Sequence, residues 1–229
     1  MKRLRILCLH GYHGSASLLR SQMKPLTAGL DSVAEFVYID APSLARGDFG
    51  WWHAVENESV PAVENPGIAP ANMRYKGWPD SRDRIVSVFE RQGPFDGIFG
   101  FSQGAALTAL LVGLRSPDGN ATTLKPLAFS FAMMVGGFPS VDAALMNLYE
   151  ATASYDLPSV HITGLSDSVV ESDYSRAVAA RFNHPIVLEH RGGHVIAATP
   201  EIRKQVGAFL ADMLRRKSAN ESASLPSVR

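Results

Sequence analysis

The chain has little cysteine: one residue, Cys8, in a sequence of 229, and it lies within an apolar run. No internal disulfide can form, so a reducing compartment, the cytoplasm, is the expected setting. A surplus of either charge is also lacking. The 22 Lys and Arg balance 22 Asp and Glu for a formal net charge of zero, and no long basic run stands out. Nucleic acid and anionic membrane surfaces are therefore not expected as partners. Long apolar runs are missing as well. The stretch that follows Lys2, Arg3 and Arg5 gives way to His10-Gly11, too soon for the core of a secretory leader, and no run nears the ~20 residues of a membrane helix. The last three residues are not a peroxisomal address. Asn120-Ala121-Thr122 and Asn220-Glu221-Ser222 are sequons in form, which a cytosolic chain would leave unglycosylated.

What the chain does have is apolar mass, 46% of residues, enough for the core of one α/β domain. Apolar runs suited to strands covered on both faces occur at residues 4–9, 34–39, 95–99, 126–135, 160–163 and 185–189. Helical stretches alternate with them at about 16–30, 80–92, 103–115, 141–153, 171–182 and from Thr199, an N-cap followed by Pro200. Such alternation predicts a doubly wound, mostly parallel six-stranded sheet with helices on both faces, in the strand order 2-1-3-4-5-6. The domain is expected to span 1–217, with a Ser-rich, disordered tail over 218–229.

Between the third expected strand and its helix lies Gly100-Phe101-Ser102-Gln103-Gly104. Gly-x-Ser-x-Gly alone is weak, since roughly one chain in ten of this length holds it by chance. Set between a strand and a helix, it becomes a nucleophile elbow, a sharp turn that raises the serine hydroxyl above the end of the sheet. A serine needs a base. Of seven histidines, His161 lies inside a strand and His184 precedes one. His53 falls in an irregular segment, and His10 and His13 flank the Gly-rich loop after strand 1. His190 and His194 are at the carboxyl end of strand 6, and Gly192-Gly193 gives His194 the closer approach. The imidazole needs a carboxylate to fix its tautomer. Asp167 stands just past strand 5, whereas Asp156 precedes that strand and Asp173 is already in the next helix. The order Ser102, Asp167, His194 is that of the α/β-hydrolase fold. The backbone N–H groups of Tyr12 and Gln103 are the expected oxyanion donors.

Residues 43–79 form an irregular insertion with all three tryptophans. Trp51, Trp52, Tyr75 and Trp78 have two readings there, a wall for an apolar substrate or pins that hold the loop to the body. His10-x-x-His13 lacks the further ligands zinc requires, Gly97-x-x-Gly100 is no dinucleotide fingerprint, and no P-loop occurs. No metal or cofactor is expected.

Taken together, Leu9-His10-Gly11-Tyr12, Trp51-Trp52, the run from Gly93 to Gly104, Gly164-Leu165-Ser166-Asp167-Ser168-Val169-Val170 and Gly192-Gly193-His194 resemble the FSH-type family of serine hydrolases, small cytosolic α/β-hydrolases common in fungi. The resemblance covers nearly the whole chain up to Ser218. It implies carboxylesterase or thioesterase activity through the same triad. Some members release polyketide or other acyl chains from a synthase's carrier domain, so the expected partners are a small acyl ester or thioester and such a carrier. The favoured reading is hydrolysis of an ester or thioester with an apolar acyl part. A short-chain carboxylesterase is the alternative within catalysis, and a hydrolase-fold ligand binder the alternative outside it.

Overall fold

Leu4–Leu9 (β1) alternates its side chains between two cores, Leu4, Ile6 and Cys8 on one face and Leu7 and Leu9 on the other. Its central place in the sheet explains why every second residue is not polar. A computed structural model of the chain describes residues 2–45, 48–57, 73–115, 127–150 and 154–223. Beside β1 run Ala34–Ile39 (β2) and Gly97–Phe101 (β7), followed outward by Phe131–Val135 (β8), Ser159–Gly164 (β9) and Ile186–His190 (β10). All five pairings are parallel. The order β2-β1-β7-β8-β9-β10 is the expected 2-1-3-4-5-6, the skipped numbers belonging to four short strands of the insertion.

One face of the sheet is covered by Ala16–Thr27 (α1) and Pro200–Ala223 (α6), through Leu19, Met23 and Leu26 and through Ile202, Val206, Phe209, Leu210 and Met213. The other carries Trp78–Gln92 (α2), Gln103–Leu114 (α3) and, through Val178, Ser172–Ala179 (α5). Ala143–Glu150 (α4) packs on α3. Helix α3 is buried on all sides from Gln103 to Val112, as its almost wholly apolar sequence requires.

Several boundaries differ from the sequence reading. Helix α1 stops at Thr27, ahead of Gly29 at φ 86°. The segment expected to be a strand from 126 becomes one only at Phe131; Leu127 and Phe129 are buried without pairing, and residue 126 lies outside the described residues. Helix α5 ends at Ala179, and residues 151–153 of the expected fourth helix are outside the described residues. Trp78 opens α2, with Gly77 at φ 92° before it and Pro79 in its first turn. The expected irregular insertion holds two antiparallel pairs, Ser43–Ala45 (β3) with Asp48–Phe49 (β4), and His53–Glu56 (β5) with Met73–Lys76 (β6).

Residues 218–223 are not disordered but continue α6 to Ala223. Ser218 and Ser222 return their hydroxyls to the carbonyls of Leu214 and Ser218, and Lys2 pairs with Glu221 at 2.6 Å. Serine in a helix satisfies itself on the preceding turn, which a compositional reading does not register. Residues 224–229 lie outside the described residues.

Candidate active site

Ser102 has φ 55° and ψ −118°, a region that a residue with a Cβ enters at a cost of roughly 1–3 kcal/mol. It is held from both sides. Its N–H donates to the Val135 carbonyl at 2.8 Å, and its carbonyl accepts from Ala105 and Ala106 at 2.9 and 3.0 Å. The two flanking glycines are steric necessities. A Cβ at Gly100 would strike the Gly104 carbonyl, and one at Gly104 would strike the carbonyls of Leu9 and His10. Strand, helix and the loop after β1 are therefore pressed together at this point.

That loop is fixed by His10, whose ring is buried. Its Nδ1–H donates to the Gly11 carbonyl at 2.7 Å, and its Nε2 accepts from Ala41 N–H at 3.1 Å. One tautomer of the neutral ring makes both bonds. Burial pushes its pKa down, with the Gly11 bond and the Asp40 charge opposing in part. Gly11 lies directly on the elbow: a Cβ there would be 3.2 Å from Ser102 Cβ. The N–H of Tyr12 thus belongs to the residue next to the contact, and that of Gln103 opens α3, where the first N–H groups of a helix have no intrahelical acceptor.

The carboxylate and the imidazole come from the loops after β9 and β10. Asp167 Oδ1 accepts from the N–H groups of Val169 and Val170, both at 2.9 Å, and Oδ2 accepts from His194 Nδ1–H at 2.7 Å. Burial alone would push the carboxyl pKa up. The bonds from Val170, His194 and Val169 outweigh it and hold Asp167 below the usual carboxylate range. The side chain is 2% exposed and that of His194 18%, so the pair is shielded on the aspartate side and open on the imidazole side. The loops are clasped to each other. Leu165 N–H donates to His190 O at 2.8 Å and Ser166 N–H to Gly192 O at 3.1 Å. Only glycine fits at 164, because a Cβ there would meet the carbonyls of Gly192 and Gly193.

These loops meet the elbow. The ring of Phe101, next to Ser102, lies 4.9 Å from that of His194. Gly136, which follows the carbonyl bonded to Ser102, is so near the imidazole that its Cβ would stand 3.1 Å from His194 Cε1. Ser102, Asp167 and His194 thus gather at the carboxyl rim of β7, β8, β9 and β10.

Three further histidines serve otherwise. His161 is buried in the core beside Phe182, its Nε2 3.0 Å from the Ser159 hydroxyl, and burial pushes its pKa down to about 3. His190 accepts the Gly192 N–H on Nδ1 at 3.1 Å, shaping the turn that carries His194. Burial lowers its pKa, the Asp167 charge opposing. His53 Nδ1 is bonded to the Tyr12 hydroxyl at 2.6 Å.

The four aromatics of the insertion are sealed in the core, at 0% exposure for Trp51, 2% for Trp52, 5% for Tyr75 and 8% for Trp78. The reading of these residues as pins describes their positions, and no wall of exposed indole faces the serine. Trp51 Nε1–H donates to His10 O at 2.7 Å, and Trp52 stacks on Tyr75 at 4.4 Å. The Tyr75 hydroxyl accepts from Val141 N–H at 2.9 Å, and its backbone N–H donates to Asp142 Oδ2 at 2.7 Å.

The sequence reading missed the side chain of Gln103. Its Oε1 accepts from Trp51 N–H and its Nε2 donates to Trp52 O, both at 2.8 Å. The signal was available: Gln103 and Thr108 are the polar residues of an otherwise apolar helix, and a buried amide demands partners. Gln103→Ala should strand two buried backbone groups and cost about 2–4 kcal/mol, measurable by urea denaturation.

Among the described residues no cluster of three or more His, Cys, Asp or Glu could hold a metal ion, and no helix is long and apolar enough to cross a membrane. A family model described as serine hydrolase (FSH1) matches residues 1–206. Among relatives, an esterase of Drosophila melanogaster (CG5412) is 30% identical over 96% of this chain and 78% of its own length. The esterase OVCA2 of Homo sapiens is 32% identical over 90% of this chain and 95% of its own. The solved structure of Zea mays acyl-protein thioesterase 2 superposes with a TM-score of 0.64 at 20% identity, covering 93% of this chain and 95% of that one, a likeness that bears on the fold. With a family match running from the first residue into the first turns of α6, and esterases alike over at least nine tenths of its length, the chain belongs to the FSH1 serine hydrolase family and is an enzyme of that class.

Proposed function

We propose that the chain hydrolyses carboxylic esters or thioesters with an apolar acyl part, through an acyl-enzyme on Ser102. The Ser102 hydroxyl attacks the acyl carbonyl as His194 Nε2 takes its proton. The tetrahedral intermediate collapses, the alcohol or thiol leaves with that proton, and the acyl group stays on Ser102 Oγ. Water then attacks, again giving its proton to His194, and the carboxylic acid departs as the serine recovers its hydrogen. Asp167 holds Nδ1–H throughout. The N–H groups of Tyr12 and Gln103 receive the oxyanion, each donor contributing about 2.7–4 kcal/mol to lowering the barrier.

The single observation that carries this reading is the conjunction at the rim. A serine in a left-handed conformation stands one residue from Phe101, whose ring faces an imidazole already bonded to a buried carboxylate. The acyl thioester of a synthase's carrier domain is one form the substrate takes. A panel of matched acyl thioesters and oxyesters, offered free and on a carrier domain, tests this. Turnover of either class is expected, together with covalent labelling of Ser102 by a fluorophosphonate. An enzyme that turns over none of them and does not label is a binder, and the reading fails.

A further inference from the structure

With the insertion's aromatics sealed, an apolar acyl chain must find its contact elsewhere. Single exposed apolar residues are ordinary on protein surfaces, but several gathered at one site mark a contact surface. Of the seven large apolar side chains most exposed among the described residues, Leu165 (50%), Val169 (70%) and Val195 (53%) fall within two positions of Asp167 or His194. We propose that these three form the surface on which the substrate's acyl chain lies, so that acyl specificity resides in the loops after β9 and β10 rather than in the tryptophans of residues 43–79. The proposal rests on the reading of Ser102 and His194 as the reacting pair.

The exposure is built into the backbone. Val169 N–H is held by Asp167 Oδ1 at 2.9 Å, the oxygen that also holds Val170. Val170 is buried at 5%. One fixed turn thus sends one valine inward and its neighbour outward. Leu165 is tied through its N–H to His190 O at 2.8 Å, and Val195 through its N–H to Gly193 O at 2.9 Å. The same bonds that position Asp167 and His194 hold the three apolar side chains beside them, so a chain attached to the carbonyl under attack meets a surface already ordered. The flank across Ser102 differs in chemistry. There Tyr12, 42% exposed, presents a hydroxyl bonded to His53, an edge suited to the polar leaving group.

The experiment uses p-nitrophenyl esters from acetate to decanoate and, in parallel, acetate esters of alcohols from ethyl to octyl. For the unmodified enzyme, kcat/KM should rise about threefold to fourfold for each acyl methylene that finds cover, then level off. In Val169→Ser, Val195→Ser and Leu165→Ser that rise should flatten, the loss on the octanoate exceeding the loss on the acetate by at least fivefold, while the response to alcohol length stays as it was. Equal losses at every acyl length, or a flattened alcohol series instead, overturn the proposal. So does loss of phosphatidylcholine-vesicle binding with the acyl series intact, which makes the rim a lipid-contact surface. Fluorophosphonate labelling of each variant separates the two levels. Labelling retained with an unaltered acyl series refutes only the rim, whereas no labelling of the unmodified enzyme refutes the nucleophile itself.

Discussion

Ser102→Ala is expected to lower kcat by about a million-fold, with binding of substrate left near its original strength. The geometry makes this a clean substitution. The hydroxyl stands on a backbone fixed by Val135 on one side and by Ala105 and Ala106 on the other, so removing one oxygen does not release the turn. Ser102→Gly is the companion variant. Glycine adopts φ 55° without penalty, and the relief of roughly 1–3 kcal/mol exceeds the flexibility glycine adds to the unfolded chain, about 0.5–1 kcal/mol. The glycine variant should therefore be equally inactive and melt a few degrees higher. Both are checked by single-turnover kinetics with an acyl ester and by thermal unfolding. An alanine variant retaining a tenth of the activity would remove Ser102 from the mechanism.

Asp167→Asn should cost about 10⁴-fold in kcat. The reason lies in what each oxygen does. Oδ1 holds the N–H groups of Val169 and Val170, and an asparagine keeps its carbonyl oxygen there. Its NH₂ then replaces Oδ2 and points at His194 Nδ1. Two donors cannot share that line, so the imidazole moves its proton to Nε2, the nitrogen that must accept from the serine. The fold survives, and the base is lost by tautomer. The measurement is kcat with an activated ester, alongside the downfield proton signal of the Asp167–His194 bond, which should vanish. Asp173→Asn serves as the comparison. Asp173 is exposed and pairs with Arg176, and its loss should leave kcat within twofold. The reverse ranking of the two would transfer the role to Asp173.

Much of this was legible in the sequence because strand order and loop placement are coarse properties. Apolar runs alternating with helical ones determine a parallel sheet, and a parallel sheet puts every loop after a strand on one rim. Asp167 and His194 could be paired on those grounds before any distance was known. Side-chain direction in an irregular segment carries no such periodicity. Trp51 and Trp52 suit a ligand-facing and a core-facing place equally, because hydrophobicity favours both. What decides is a set of partners far away in the chain: His10 O for Trp51 and Tyr75 for Trp52. The amide of Gln103 is hidden in the sequence for a related reason. Its partners, Trp51 N–H and Trp52 O, are 52 and 51 residues away along the chain. At the C-terminus composition misled, since Ser-rich sequence reads as solvent-loving while α6 carries it with local hydroxyl bonds and the Lys2–Glu221 pair.

The stacking of Trp52 on Tyr75, with β5 paired to β6 beside it, has a consequence for how such a protein diversifies. Glu56 opposite Met73 closes a neck in the chain. Residues added or removed beyond that neck change the entropy of ring closure by only about 0.6 kcal/mol for each doubling of length. The near side of that neck is tied to the elbow, since Gln103 holds Trp51 N–H and Trp52 O. Descendants of this sequence can therefore trial new appendages there with the pairing of β5 and β6 left in place.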